Sequence, residues 1–207
     1  MFTNQLGVSF SGSDFENIYM ASRKKENRVY SDEQVEHLPF IGPTHIHYDE
    51  WQARKKSSAR LKNYLENKNK PLSILEVGCG NGWLSARLAA LKDSEVTGTD
   101  IDKTELSQAK RVFCKLINIH FETGDIKNIQ FDKKFDIIVF AASIQYFPSF
   151  DRVVSHALSL LNQEGEIHIL DSHIYHLNEI EPAKKRSQTY YHSIGFGGMA
   201  EFYFHHS

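Results

Sequence analysis

Two carboxylates and three glycines carry the chemistry that this 207-residue chain advertises most clearly. In Ile74-Leu75-Glu76-Val77-Gly78-Cys79-Gly80-Asn81-Gly82-Trp83 an apolar run stops at alternating glycines and a helical pattern starts. The spacing predicts a strand, a tight turn and a helix N-terminus. Glycines strip Cβ atoms from such a turn, and a helix start aims backbone N–H groups at one point, so a ligand can approach the main chain closely. Asp100 follows Gly82 by 18 residues, at the end of a second apolar run. That is close to the ~20-residue spacing at which a strand-ending acid accepts hydrogen bonds from ribose hydroxyls.

The glycine spacing separates ligand classes. A dinucleotide fingerprint wants Gly-x-Gly-x-x-Gly, but here Gly78-x-Gly80-x-Gly82 is followed by Trp83. A phosphate loop needs Lys-Ser or Lys-Thr after its glycines, and neither is present. Glu76, aimed at the ligand side of the turn, suits a cation better than a pyrophosphate.

The elements that position these residues can be read from the pattern after residue 70. Short apolar runs alternate with amphipathic segments, which specifies helices on both faces of a parallel sheet. Strands are predicted at 72–77, 95–100, 117–121, 135–140 and 166–170. Helices are predicted at 82–91, 103–114, 150–161 and about 182–193, with Asp102 and Glu105 spaced as a capping box and residues 162–165 as a turn. Glu201-Phe202-Tyr203-Phe204 reads as a sixth strand. Before this region, Ser13-Asp14-Phe15-Glu16 and Ser31-Asp32-Glu33-Gln34 have capping-box spacing, and a longer helix is expected from about 48 to 66. The chain therefore divides into a helical cap over 1–70 and a three-layer α/β/α, doubly wound domain over 71–207. Ligands of such sheets bind beyond the carboxyl ends of the strands, where Gly124-Asp125-Ile126 and Ala141-Ala142 also fall.

Composition sets the outer bounds. With 41% hydrophobic and 24% charged residues and a formal charge of −2, the chain has the make-up of an ordinary globular protein. It has no overall field to concentrate nucleic acid or an anionic membrane surface. Two cysteines, Cys79 and Cys114, exclude a disulfide framework and fit a reducing compartment, so the cytoplasm is expected.

Glu76–Gly82, Val96-Thr97-Gly98-Thr99-Asp100, Gly124-Asp125-Ile126 and Phe135-Asp136-Ile137-Ile138-Val139 resemble, in order, the successive motifs of class I S-adenosylmethionine-dependent methyltransferases, a Rossmann-like family. The resemblance covers about residues 71–171 and implies S-adenosyl-L-methionine as cofactor and S-adenosyl-L-homocysteine as product. It implies that Gly78, Cys79, Gly80, Asn81 and Gly82 touch the methionine part, with Glu76 assisting through water or the ammonium group. By the same resemblance Asp100 takes the ribose hydroxyls and Ile101 packs on the adenine. Asp125, after Gly124, accepts from the adenine amino group, and the Ile126 backbone reads a ring nitrogen. Ala141 and Ala142 border the sulfonium, with Tyr146 nearby. The family's sheet ends in an antiparallel strand pair, for which only one strand has room here.

In-line methyl transfer needs mainly alignment, and a base helps if the acceptor is a hydroxyl or an amine. His173, just after the fifth predicted strand, is the candidate. His45-x-His47, His173-x-x-His176 and His205-His206 lack a Cys, Asp or Glu at ligand spacing, so no metal is expected. The acceptor is expected to be a small molecule chosen by the N-terminal helices and the segment after residue 171, and the chain to be a monomer or homodimer. A nicotinamide-dependent oxidoreductase and a non-catalytic S-adenosylmethionine-binding module are the other readings.

Overall fold

Ile74, Leu75, Ile137, Ile138, Val139 and Phe140 are apolar at successive positions, so both faces of their strands must be covered. In the computed structural model these runs lie side by side in one five-stranded parallel sheet. The structure describes residues 2–3, 9–10 and 12–207, with side chains from residue 15 onward. The elements in chain order are β1 (Phe2–Thr3), β2 (Ser9–Phe10), α1 (Gly12–Lys25), α2 (Asp32–His37), α3 (Tyr48–Glu66), β3 (Ser73–Val77), α4 (Trp83–Ala89), β4 (Glu95–Asp100), α5 (Lys103–Val112), β5 (Ile119–Thr123), β6 (Phe135–Ala141), α6 (Phe150–Ser159), β7 (Leu161–Leu170) and α7 (Ile180–Ser193). The sheet order is β5-β4-β3-β6-β7. The order reverses between β3 and β6, which makes their carboxyl ends the topological switch point.

The chain forms two compact units. One comprises Ser31–Ala142 and Val154–Asp171 and holds the whole parallel sheet with α2 to α5. Ile74, Phe135, Ile138, Val139 and Phe140 are fully buried in it. Trp83 belongs to this core, edge-on to Trp51 of α3 with ring centroids 5.3 Å apart. The predicted capping box at Ser31 is present, with Gln34 N–H donating to Ser31 Oγ and Ser31 N–H to Gln34 Oε1. Asp32, in the first turn of α2, takes Arg111 and Gln108 of α5. Arg111 and then Gln108 hold its carboxyl down at about 2.

The other unit comprises Met1–Tyr30, Ser143–Val153 and Ser172–Ser207. Phe15 of α1 packs edge-on to Phe202 at 5.2 Å, and Tyr19 edge-on to Tyr146 at 5.6 Å. Gly198 lets α1 approach, because a Cβ there would lie 2.9 Å from Ile18 Cδ1. Tyr190 of α7 donates to Glu26. The expected cap at Ser13 lies outside the described side chains.

Three sequence-based expectations are corrected. Residues 201–204 form no sixth strand. Gly197–Phe202 is a 3-10 segment, and the tail makes single backbone bonds, Phe204 N–H to Gln145 O and Tyr175 N–H to His206 O, in place of a ladder. Among the described residues no strand follows β7, so neither strand of the family's terminal pair is present. β5 starts two residues late, since Leu116 closes a turn onto Phe113 and Ile117 is 95% exposed. Residues 162–165 do bend as expected, but as a bulge inside β7. The register jumps there from Phe135↔Leu161 to Ile137↔Glu166.

Among the described residues no helix is long and apolar enough to cross a membrane. Because Phe140 is fully buried at the middle of the sheet, Phe140→Ala is expected to cost about 3–5 kcal/mol in urea denaturation. Ile117→Ala, on the surface, should change stability by less than about 0.5 kcal/mol.

Candidate functional site

The site is built where β3 and β4 end. Gly78, Gly80 and Gly82 have φ of +73°, +52° and +75°, a region that residues with a Cβ enter at a cost. Space also requires glycine at Gly82, where a Cβ would meet Phe121 at 2.7 Å and Ala109 at 2.9 Å. Most of the turn's N–H groups are already used, which corrects the expectation of free donors converging on a ligand. Gly78 and Cys79 donate to Thr99 O at 2.8 and 3.0 Å, and Gly82 donates to Cys79 O at 2.9 Å. Gly80 donates to Asp100 Oδ2 at 2.7 Å. The turn is therefore no anion cradle.

Its acids define the electrostatics. Glu76, 2% exposed, sits opposite Gly98 of β4 and Val139 of β6. A Cβ on Gly98 would come within 2.9 Å of Ser85 Oγ and Cys79 Sγ. That gap lets Ser85 of α4 donate to Glu76 Oε2 at 2.5 Å. Burial pushes the Glu76 carboxyl up to about 8, against the pull of the Ser85 hydrogen bond and with a further push from the Asp100 charge. Burial likewise pushes Asp100 up to about 6, opposed by the N–H groups of Asp102 and Gly80. Cys79 is buried and its thiol is pushed well up by burial and the surrounding acids, which makes it a packing residue.

Asp100 ties the site together. Its Oδ1 accepts from Asp102 N–H at 2.8 Å, its Oδ2 holds Gly80, and its carbonyl accepts from Gly124 N–H at 2.9 Å. Asp102 caps α5 through Thr104 and Glu105 N–H. With Asp102 N–H turned to Asp100, Glu105 does not read as a simple capping-box partner. Its carboxylate lies against Gly80, where a Cβ would be 2.9 Å from Oε2. That Glu105 faces the turn was not legible in the sequence, because its spacing from Asp102 already had a capping explanation.

The remaining candidates divide between the two units. Asp125 closes a local turn, accepting from Lys127 N–H at 3.1 Å. Ile126 is buried, and its carbonyl meets His156 Nε2 at 3.1 Å. Ile101 follows Asp100 directly and is half-buried. Asn81 is buried, its Oδ1 3.4 Å from Trp83 N. Ala141 ends β6, and Ala142 turns away at φ +52° with its N–H on Leu170 O. All of these lie with Glu76 and Asp100 in the sheet unit. Tyr146 and His173 belong to the other unit, His173 exposed with its ring 4.3 Å from that of Tyr175. Among the described residues no group of three or more His, Cys, Asp or Glu side chains could hold a metal ion.

A family profile described as "Methyltransferase domain" matches residues 68–206. The chain belongs to that family. Among relatives of this methyltransferase-domain chain, malonyl-(acyl-carrier protein) O-methyltransferase 1 of Ilyobacter polytropus is 31% identical over 122 residues, 58% of this chain and 46% of that protein. Malonyl-(acyl-carrier protein) O-methyltransferase of Halalkalibacterium halodurans is 26% identical, over 66% of this chain and 54% of the relative. The chain thus spans about half the length of these curated relatives. Among solved structures, a DhpI–SAM–HEP complex matches with a TM-score of 0.58 and 20% identity, over 85% of this chain and 72% of that one. YjhP from E. coli matches with a TM-score of 0.55 and 20% identity, over 81% of this chain and 62% of that one. These likenesses establish the Rossmann-like fold.

Two predictions follow from the turn and its acids. Gly82→Ala should cost at least about 1–2 kcal/mol in urea denaturation from its left-handed backbone alone. Glu76 and Asp100 hold their protons more tightly folded than unfolded, so the stability they contribute is complete below their ordinary values of 4.5 and 3.8. It is lost as the pH rises, through about 8 for Glu76 and about 6 for Asp100. Thermal midpoints of the ligand-free protein should therefore fall between about pH 5 and about pH 8 more steeply for the wild type than for Glu76→Gln.

Proposed function

We propose that the chain binds S-adenosyl-L-methionine and transfers its methyl group to a small-molecule acceptor, releasing S-adenosyl-L-homocysteine. The observation that carries this reading is the pair of strand-end carboxyls, Glu76 buried and Asp100 half-buried, both pushed up by burial and set against a glycine turn with few spare donors. Such a turn fits a ligand that brings an ammonium group and hydroxyl donors, and fits a pyrophosphate poorly.

In this reading Glu76 and the turn from Gly78 to Gly82 hold the methionine part, and Asp100 accepts from the ribose hydroxyls on lone pairs left by Gly80 and Asp102. Ile101, Asp125 and the Ile126 backbone frame the adenine, and Ala141 and Ala142 border the reacting methyl. The cofactor supplies a sulfonium methyl already activated for displacement. The protein's part is alignment and exclusion of water. His173 is the side chain we assign to take a proton from the acceptor. The residues before 31 and after 171 select the acceptor, and unpaired Cys79 and Cys114 support a reducing, cytoplasmic setting.

Calorimetric titration with S-adenosyl-L-homocysteine tests this directly. The wild type should bind, and Asp100→Ala should bind roughly tenfold or more weakly, since hydrogen bonds to a charged group contribute about 1.5–3 kcal/mol. Absence of wild-type binding would overturn the proposal. His173→Ala should leave that affinity unchanged while lowering turnover.

A further inference from the structure

Two cations without anionic partners among the described residues share one exposed ring on the sheet unit, where α3 and α4 meet the connector 38–43. Phe40 in that connector is 55% exposed. Lys55 Nζ of α3 lies over its ring at 4.8 Å from the centroid, and Arg87 Cζ of α4 at 5.0 Å. A cation over an aromatic face is held in place without being neutralised. Lys55, Lys56, Arg60 and Arg87 have no carboxylate within ion-pair distance among the described residues, whereas their neighbours Arg54 and Lys62 are paired with Glu50 and Glu66. The Nε–H of Arg87 is buried and has no acceptor among the described residues. Ile46, in the turn before α3, is 71% exposed.

Two unneutralised cations on one exposed ring, with Lys56 and Arg60 exposed further round α3, are a local feature that the formal charge of −2 conceals. Exposed apolar side chains with cations around them are the make-up of a protein-binding surface, in which Arg and aromatic residues are enriched. Nucleic acid fits less well. The Phe40 ring is already engaged by cations where a base would stack, and four charges fall short of the phosphate contacts that duplex binders make.

We infer that Phe40, Lys55 and Arg87 form the centre of a docking surface for an acidic protein partner. Its carboxylates would complete the two cations held over the ring, and its apolar side chains would cover Phe40. Arg87 lies on the helix that starts at the glycine turn, so a docked partner is held beside the candidate cofactor site. The surface does not depend on the proposed activity.

The test uses fluorescence anisotropy with a fluorescein-labelled helical peptide of Glu and Leu, read against a neutral peptide of equal length and a single-stranded DNA oligonucleotide. The full chain should bind the acidic peptide saturably, with affinity falling as salt rises. Lys55→Glu with Arg87→Glu should weaken binding at least tenfold, and Phe40→Ala several-fold. Lys115→Glu with Lys134→Glu, an equal charge change at exposed sites elsewhere, should change it less than twofold. Lys55→Gln with Arg87→Gln is the milder pair if charge reversal lowers the thermal midpoint. No saturable binding, equal loss in the control pair, or tighter binding of the oligonucleotide would overturn the inference. Titration with S-adenosyl-L-homocysteine on the same samples separates this outcome from failure of the proposed activity.

Discussion

The Glu76–Ser85 hydrogen bond is the interaction around which the sheet end is arranged. Leaving a carboxyl buried among β3, β4 and β6 costs several kcal/mol if it is ionised and unpaired. The structure answers with a short hydrogen bond from α4, and that bond needs Gly98 to keep β4 clear of Ser85. One acid therefore dictates a glycine on the neighbouring strand and a serine one turn into the following helix. In the ligand-free state the cheaper solution near neutral pH is to keep the proton, which is why burial raises this carboxyl so far. A core position that would be most stable as an apolar residue carries an acid, and a site that trades stability for a ligand is the physical reading of that choice.

Asp100 performs the complementary task of stitching. One residue joins the glycine turn through Gly80, the start of α5 through Asp102 and the end of β5 through Gly124. Three carboxyl ends of parallel strands would otherwise diverge with the sheet's twist. The carboxylate fixes two of them and the Asp100 carbonyl the third, and in the proposed reading the same carboxylate is also the ligand acceptor. Its burial is thereby explained without any cation beside it.

The strands, their parallel order and the glycine turn were legible in the sequence because each rests on local signals: apolar runs flanked by turn residues, and glycines where no Cβ fits. The Ser31 capping box was legible for the same reason. What escaped was decided by neighbours distant in sequence. Glu201–Phe204 alternates like a strand, but a strand exists only with a partner edge, and the tail finds single bonds to Gln145 and Tyr175. Asn162–Gly165 reads as a turn in the sequence but is absorbed into β7, because Phe135 and Ile137 pair on either side of a bulge. Free N–H groups were expected at the glycines because a helix start supplies them in isolation. That Thr99 O and Asp100 consume them could be known only from β4 lying beside the turn.

The same reasoning explains why cofactor chemistry is easier to read than acceptor chemistry. The cofactor candidates sit at strand ends, where register fixes their positions and a motif can be written as a spacing. The segments after residues 142 and 171 lie in the other unit as 3-10 turns, one helix and aromatic contacts such as Tyr146–Tyr203 and Tyr175–His205. Ring packing has no period, and many sequences satisfy it equally well. An acceptor pocket assembled from such contacts is specified by shape alone. Its identity must come from the chemistry of bound molecules, whereas Glu76 and Asp100 stand on strands where a motif can be read as a spacing.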